Sequence, residues 1–248
     1  MKNKTKKLIF LLFLNFFITS NLIGEEIKFE ANTIEFLDKE KKIIAKKNFK
    51  IFNPKENIYA DEMEYDKSNQ IIKAKGNIIV ENSEENIKIF SDELIYFINE
   101  EKIILNKNVK IDFKKIKLFE TEEVVYDKIK DQVITNDISN FEDEYGNLIS
   151  FEKSKFLLNK KLLKMSSVKM TDKIKNKYYF ENVVINFKND EFISDGVKID
   201  FFKNSFGNLE NDPRLNGNYF YSNKNKSLIK KGVFTTCKKR KGKCPPWQ

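Results

Sequence analysis

The sequence contains no histidine, which removes every mechanism that needs an imidazole as general base or as zinc ligand. Two cysteines are too few for a four-thiolate metal site, and 8 Gly with 4 Pro in 248 residues exclude collagen-like and loop-rich architectures. The only arginines are Arg214 and Arg240, so the side chain best suited to forked recognition of phosphates and base edges is nearly missing. A glycine-rich phosphate loop, a Gly-x-Ser-x-Gly elbow and metal-ligand spacings are also absent. The sequence therefore implies no cofactor, no metal and no catalytic constellation of a familiar kind.

What it does contain is apolar surface: 40% hydrophobic residues and 23 Phe, enough to bury a sizeable core despite 33% charged residues. The formal net charge of +9 is unevenly placed. Residues 1–24 carry four Lys and no acid, and residues 213–248 carry ten basic residues and no acid. That leaves 32 of the 46 basic residues against all 37 acidic ones in between, so the body is acidic and gives no electrostatic footprint for nucleic acid.

The first 24 residues have the layout of a secretory signal: Lys2, Lys4, Lys6 and Lys7, then an apolar run from Leu8 to Ile18, then a polar turn before Glu25. About eleven apolar residues fall short of the roughly 20 that span a bilayer, so cleavage near Gly24 and export are expected. Export places Cys237 and Cys244 in an oxidising compartment. Bridging each other is the default; pairing with another chain or staying free are the alternatives. The basic run Lys238 to Lys243 reads either as a solvated tail or as a contact for acidic headgroups.

A repeat of about thirty residues runs through the body. A polar residue, two alternate apolar positions and a closing aromatic recur as Asn32/Ile34/Phe36, Asp61/Met63/Tyr65, Asp92/Leu94/Tyr96 and Glu122/Val124/Tyr126. A degenerate copy ends at Phe156, and Glu181/Val183/Ile185 lacks the aromatic. Each copy is followed by an apolar pair behind Asn, Asp, Ser or Gly: Phe49/Ile51, Ile78/Val80, Val109/Ile111, then Asp137-Ile138, Val168/Met170 and Val197/Ile199. The preceding residues keep the same parity, as in Ile43, Ala45, Phe49, Ile51, which is the period of a half-buried strand. Short charged connectors such as Asp66-Lys67-Ser68-Asn69-Gln70 supply the turns. The pattern predicts an all-β fold of stacked strand-turn-strand units, roughly fourteen strands in all and without substantial helix. A generic β-sandwich is the alternative, but it does not require residue types to repeat.

The inward positions make one apolar stripe. Ile34, Phe36, Met63, Tyr65, Leu94, Tyr96, Val124 and Tyr126 come from the first strands, and Phe49, Ile51, Ile78, Val80, Val109 and Ile111 from the second. If the two sets close fully, the stripe is a core; if they splay apart, it lines a groove for acyl chains. The acidic column Asp61, Asp92, Glu122, Glu152, Glu181 invites paired acid–base chemistry on a glycan. A carboxylate in every repeat, however, argues for architecture rather than a single active site.

Residues 27–32 (Ile-Lys-Phe-Glu-Ala-Asn) and the pattern from Tyr59-Ala60-Asp61 to Gly76-Asn77-Ile78 resemble the OstA-like β-jellyroll shared by lipopolysaccharide-transport proteins. The end of the chain, Gly232-Val233-Phe234-Thr235-Thr236-Cys237 and Cys244-Pro245-Pro246-Trp247-Gln248, resembles the junction where the jellyroll of LptD-like assembly proteins passes into a barrel. The resemblance implies a signal peptide over 1–24, an open jellyroll over 25–235 and a basic junction over 236–248. It implies a protein at the periplasmic face of the outer membrane that takes lipopolysaccharide from an LptA-like jellyroll by edge-strand pairing near residues 27–36. Its acyl chains would pass along the stripe with no covalent step, toward a barrel beyond Gln248 and an LptE-like lipoprotein. Without a barrel, the resemblance implies a periplasmic carrier like LptA or LptC. An exported β-solenoid adhesin or glycan-active protein is the third reading.

Overall fold

The alternation of apolar and polar residues is realised as strand throughout the computed structural model, which describes residues 28–52, 56–113 and 116–239. The first half comprises β1 (Lys28–Glu30), β2 (Thr33–Leu37), β3 (Lys42–Phe52), β4 (Glu56–Asp66), β5 (Ile71–Asn82), β6 (Ile87–Phe97), β7 (Lys102–Phe113) and β8 (Ile116–Asp127). The second half comprises β9 (Gln132–Thr135), β10 (Ser139–Asp143), β11 (Leu148–Phe151), β12 (Lys153–Leu157), β13 (Leu162–Thr171), β14 (Lys177–Asn186), β15 (Glu191–Asp200), β16 (Arg214–Ser222), β17 (Ser227–Lys230) and β18 (Val233–Thr235). One turn of 3-10 helix, Ile98–Glu100, is the only helical segment among the described residues.

All pairings are antiparallel. The 18 strands reduce to fourteen long ones, because four pairs are halves of one interrupted strand. β1 and β2 both lie along β3, β9 and β10 along β8, β11 and β12 along β13, and β17 and β18 along β16. The predicted count of about fourteen therefore counts long strands, and interruption at a common level supplies the rest.

That level is a corner. In β4, β6, β8 and β15 the inward residues step by three instead of two, at Ala60→Met63, Ser91→Leu94, Thr121→Val124 and Ser194→Val197. A step of three turns the strand so that both halves keep an apolar face inward. In β3, β5 and β7 the step is four, and an extra bulged residue restores the match to the neighbouring strand. The even parity across residues 43–51 thus conceals a bulge, because the inserted residue cancels the change of face. The bulges sit where Asn48, Asn77 and Asn108 adopt left-handed backbone, and Ser167 and Gly196 adopt it at the same corner without a shift of register; all five open an apolar pair. Asn and Gly tolerate that conformation best, which is why the repeat reserves them there. The fourth copy departs from the pattern: Ile138 is 68% exposed, and Ser139 and Phe141 take the inward places instead.

The corner divides the sheet into two wings that face each other as a V. Small side chains line the apex, among them Ala45, Ala60, Ala74, Ser91, Thr121 and Ser139, because the wings are closest there. Larger ones fill the space further out: Phe113 meets Phe156 of the opposite wing edge-on at 4.6 Å, and Phe180 meets Phe192 at 5.0 Å. Buried hydroxyls at the apex satisfy one another, Ser139 donating to Thr121 at 3.0 Å and Thr135 lying 2.9 Å from Ser154.

Two of the recurring carboxylates clamp this corner. Asn77 donates to Asp61 Oδ2 at 2.8 Å and Asn108 to Asp92 Oδ2 at 2.6 Å, each across sixteen residues. Gly76 shares the first clamp: its φ is +75°, and a Cβ there would stand 2.5 Å from Asp61 Oδ2. At Gly196, φ +72°, a Cβ would meet nothing within 4 Å. Gly196→Ala should therefore lose only the left-handed backbone penalty of about 1–2 kcal/mol. Gly76→Ala should lose that and disturb the clamp as well, and so melt lower. Equal melting temperatures for the two variants would contradict the clamp.

Candidate functional site: the interior of the V and its mouth

The stripe residues lie largely inside the V. Phe49, Ile51, Met63, Ile78, Val80, Leu94, Tyr96, Val109, Ile111, Val124 and Tyr126 are buried, and both strand sets belong to one apolar cluster. Tyr65 is half-buried and donates its hydroxyl to Gln70 at 3.1 Å at a wing tip. Ile34 and Phe36 differ: they sit on β2, which pairs only with β3, and are 39% and 58% exposed. Leu37 continues this exposed apolar edge. Cys237 is exposed. Cys244, the signal segment 1–24, Ile27 and residues 240–248 lie outside the described residues.

Along β3–β8 the mouth of the V is shut by polar groups on the opposing wing tips. Lys128, just beyond β8, reaches Glu56 of the facing tip at 3.3 Å and donates to the Tyr96 hydroxyl at 3.2 Å. Asn82 donates to the Tyr126 hydroxyl at 3.0 Å, again across the mouth. Lys161, following β12, is ion-paired with Glu85 of the opposite tip. The side chains behind these contacts are fully buried, and the titrating groups register it. Burial pushes the Glu56 carboxyl above its usual range, against the opposing pull of Lys128. Burial, with the nearby Glu56 charge, pushes the Tyr126 phenol up to about 12. Burial alone would lower Lys128, but the Glu56 and Tyr96 oxygens outweigh it and hold the ammonium above its ordinary value. Glu56 Oε2 is buried without a hydrogen-bond partner among the described residues.

Further along the V, between β10–β11 on one side and β14–β16 on the other, the wings part. A cleft of about 390 Å³ opens there. Its floor is Phe141, Ile149, Met170, Ile185, Phe187, Phe192 and Phe220, and its rim carries Asp143, Glu144, Asp190, Glu191 and Lys224. The rim is stiffened locally. Asp143 accepts hydrogen bonds from the backbone of Tyr145 and Asn147 at 2.9 and 2.8 Å and from the Asn147 amide at 2.7 Å. Asp172 and Asn176 make the same loop on the next tip. On the β14–β16 side Lys224 pairs with Asp190 at 2.7 Å, and Tyr221 donates to Glu191 at 3.1 Å.

The stripe residues do not include this cleft. Its sequence signal is Phe187, two residues beyond the place where the Glu181/Val183/Ile185 copy should have its aromatic. The displaced ring stands at the wing tip and packs on Phe113 and Phe156 at 5.2 and 5.7 Å, at the border between the shut and the parted regions. The polar pairs that shut the mouth have no local signature at all.

Among the described residues no group of three or more His, Cys, Asp or Glu is placed to hold a metal ion, and no helix is long and apolar enough to cross a membrane. The chain matches no protein-family model. No curated protein matches it either. Among solved structures it is similar to LptH from Pseudomonas aeruginosa, described as the LptA homologous periplasmic component of the conserved lipopolysaccharide transport device, at 18% sequence identity and a TM-score of 0.36. The overlap covers 41% of this chain and 75% of that one, and a superposition this loose does not carry a functional assignment.

Proposed function

We propose that the chain is an exported jellyroll that carries the acyl chains of lipopolysaccharide in the interior of its V. The observation that carries this reading is a continuous apolar interior, running the length of a stacked sheet and reaching solvent through an apolar-floored cleft at one end. Transfer along such an interior needs no covalent chemistry: each methylene kept out of water contributes about 0.8 kcal/mol, so a continuous lining moves a lipid without a steep barrier. The acidic column serves the corner clamps at Asp61 and Asp92, which weakens the glycan-cleaving alternative.

The sheet edges fit a protein that works in series. β1 and β2 pair only with β3, and β17 and β18 only with β16, so both edges are free among the described residues. Free edges invite strand addition, and the exposed Ile34, Phe36 and Leu37 supply apolar contacts on the N-terminal one. On this reading an LptA-like jellyroll docks at β1–β2 and lipid leaves towards the C-terminal edge. Within it, the LptD-like form passes the lipid to a barrel and an LptE-like lipoprotein. The carrier form, like LptA or LptC, passes it to another jellyroll, and two free edges suit that form equally well.

The test is binding of rough lipopolysaccharide to the purified chain, followed by native mass spectrometry. A saturable one-to-one complex that a long-chain fatty acid displaces is expected. A chain that takes up neither amphiphile contradicts the proposal.

A further inference from the structure

The mouth of the V is built in two ways, and the difference separates a port from a latch. Three polar contacts join the tips of β3–β8 to the facing wing, Glu56–Lys128, Asn82–Tyr126 and Glu85–Lys161, the last reaching the turn between β12 and β13; their residues are 44 to 76 positions apart. Over β10–β16 the apolar floor of the cleft meets solvent, and the Lys224–Asp190 and Tyr221–Glu191 pairs at its rim lie on one wing. We propose that the cleft is the port through which a single acyl chain passes between solvent and the interior, and that the three polar contacts are a latch that must part before chains occupy the N-terminal half. This rests on the lipid-carrier reading above and adds to it where an acyl chain reaches solvent and what restrains it.

Size supports the division. At about 390 Å³ the cleft is at the small end of ligand sites, which run from about 300 to 1,000 Å³. It is sized for one chain, whereas a lipid with several chains needs room that only parting the wings behind the latch can make. The latch is also built to yield. A fully satisfied buried polar network rigidifies a structure, but here Glu56 Oε2 has no hydrogen-bond partner among the described residues. Parting the tips returns that carboxylate to water, so desolvation energy recovered on opening offsets the ion pair that is lost. Phe187 stands where the two regions meet, packed on Phe113 and Phe156, and is the first interior ring that a chain leaving the cleft displaces.

The experiment uses the full chain with palmitic acid bearing a diazirine in its acyl chain, and maps the photolabel by peptide mass spectrometry. In the unaltered protein the label should fall on Met170, Phe187 and Phe192, with little on Leu94 and Ile103 behind the latch. Lys128→Met, and separately the double variant Glu56→Gln with Lys128→Gln, remove the central contact. The double variant leaves no buried charge unpaired and keeps the test open if the single one folds poorly. In either, labelling of Leu94 and Ile103 should rise about tenfold relative to the cleft, equivalent to about 1.4 kcal/mol of latch free energy. Label confined to the cleft in a folded unlatched variant overturns the latch, as does strong labelling of Leu94 in the unaltered protein. Failure to label either region overturns the lipid reading itself, and the port with it.

Discussion

Phe151→Ala should lower the unfolding free energy by about 3–5 kcal/mol, the cost of removing a large aromatic from a packed core. Phe151 is 1% exposed and stands 5.5 Å from the Phe119 ring and 6.0 Å from Phe141. Those three rings hold β8, β10 and β11 together where the fourth copy of the repeat breaks pattern, so neighbouring units have little means of filling the space. Urea denaturation measures the effect as a fall in midpoint. Ile138→Ser, on a side chain 68% exposed in the same region, should stay within about 0.5 kcal/mol of the unaltered protein. If both substitutions cost the same, the inward face of the fourth copy has been assigned wrongly.

The second large effect belongs to the latch. Lys128→Met should cost about 3 kcal/mol, because removing one partner of a buried ion pair strands the other charge. Glu56 is only 4% exposed and Lys128 17% in its side chain, so solvent screens the pair little. The loss should depend on pH. Burial already holds the Glu56 carboxyl above its unfolded value, with Glu101 pushing the same way and Lys128 opposing. Without Lys128 the carboxyl rises further, so the folded variant takes up a proton more readily than the unfolded chain. Its stability then falls as pH rises through the folded Glu56 pKa and returns as pH drops back toward the ordinary carboxylate range. The Tyr126 phenol, pushed up to about 12 by burial, stays protonated across this interval. Thermal melts of both proteins from mildly acidic to neutral pH should show the gap narrowing on the acid side. A gap independent of pH would show that Glu56 does not depend on Lys128.

These two sites mark how far the sequence alone could lead. Strand alternation, the thirty-residue spacing and the inward faces were legible because each is written in local periodicity, and the apolar pair after every Asn or Gly was visible for the same reason. What those Asn and Gly residues do was not legible. A bulge that adds one residue restores the parity that a corner removes, so residues 43–51 look like one straight strand. Ile138 misled because its neighbours fit the repeat while its own position slipped outward. Glu56 and Lys128 are 72 residues apart in a chain one-third charged. Nothing in their surroundings distinguishes them from the many charged residues that face water. The cleft was half legible, since the displaced Phe187 is a visible irregularity, but only the parting of the wings shows what it borders.

A lipid-carrying protein of this shape must hold acyl chains inside the V. The most direct measurement replaces Phe192, on the cleft floor, or Phe202, an exposed ring outside it, with the photocrosslinker p-benzoylphenylalanine in a Gram-negative host. After irradiation, lipopolysaccharide adducts are detected by immunoblot. An adduct at position 192 and none at position 202 is the predicted result. No adduct at 192, or equal adducts at both positions, would contradict a lipid-carrying interior.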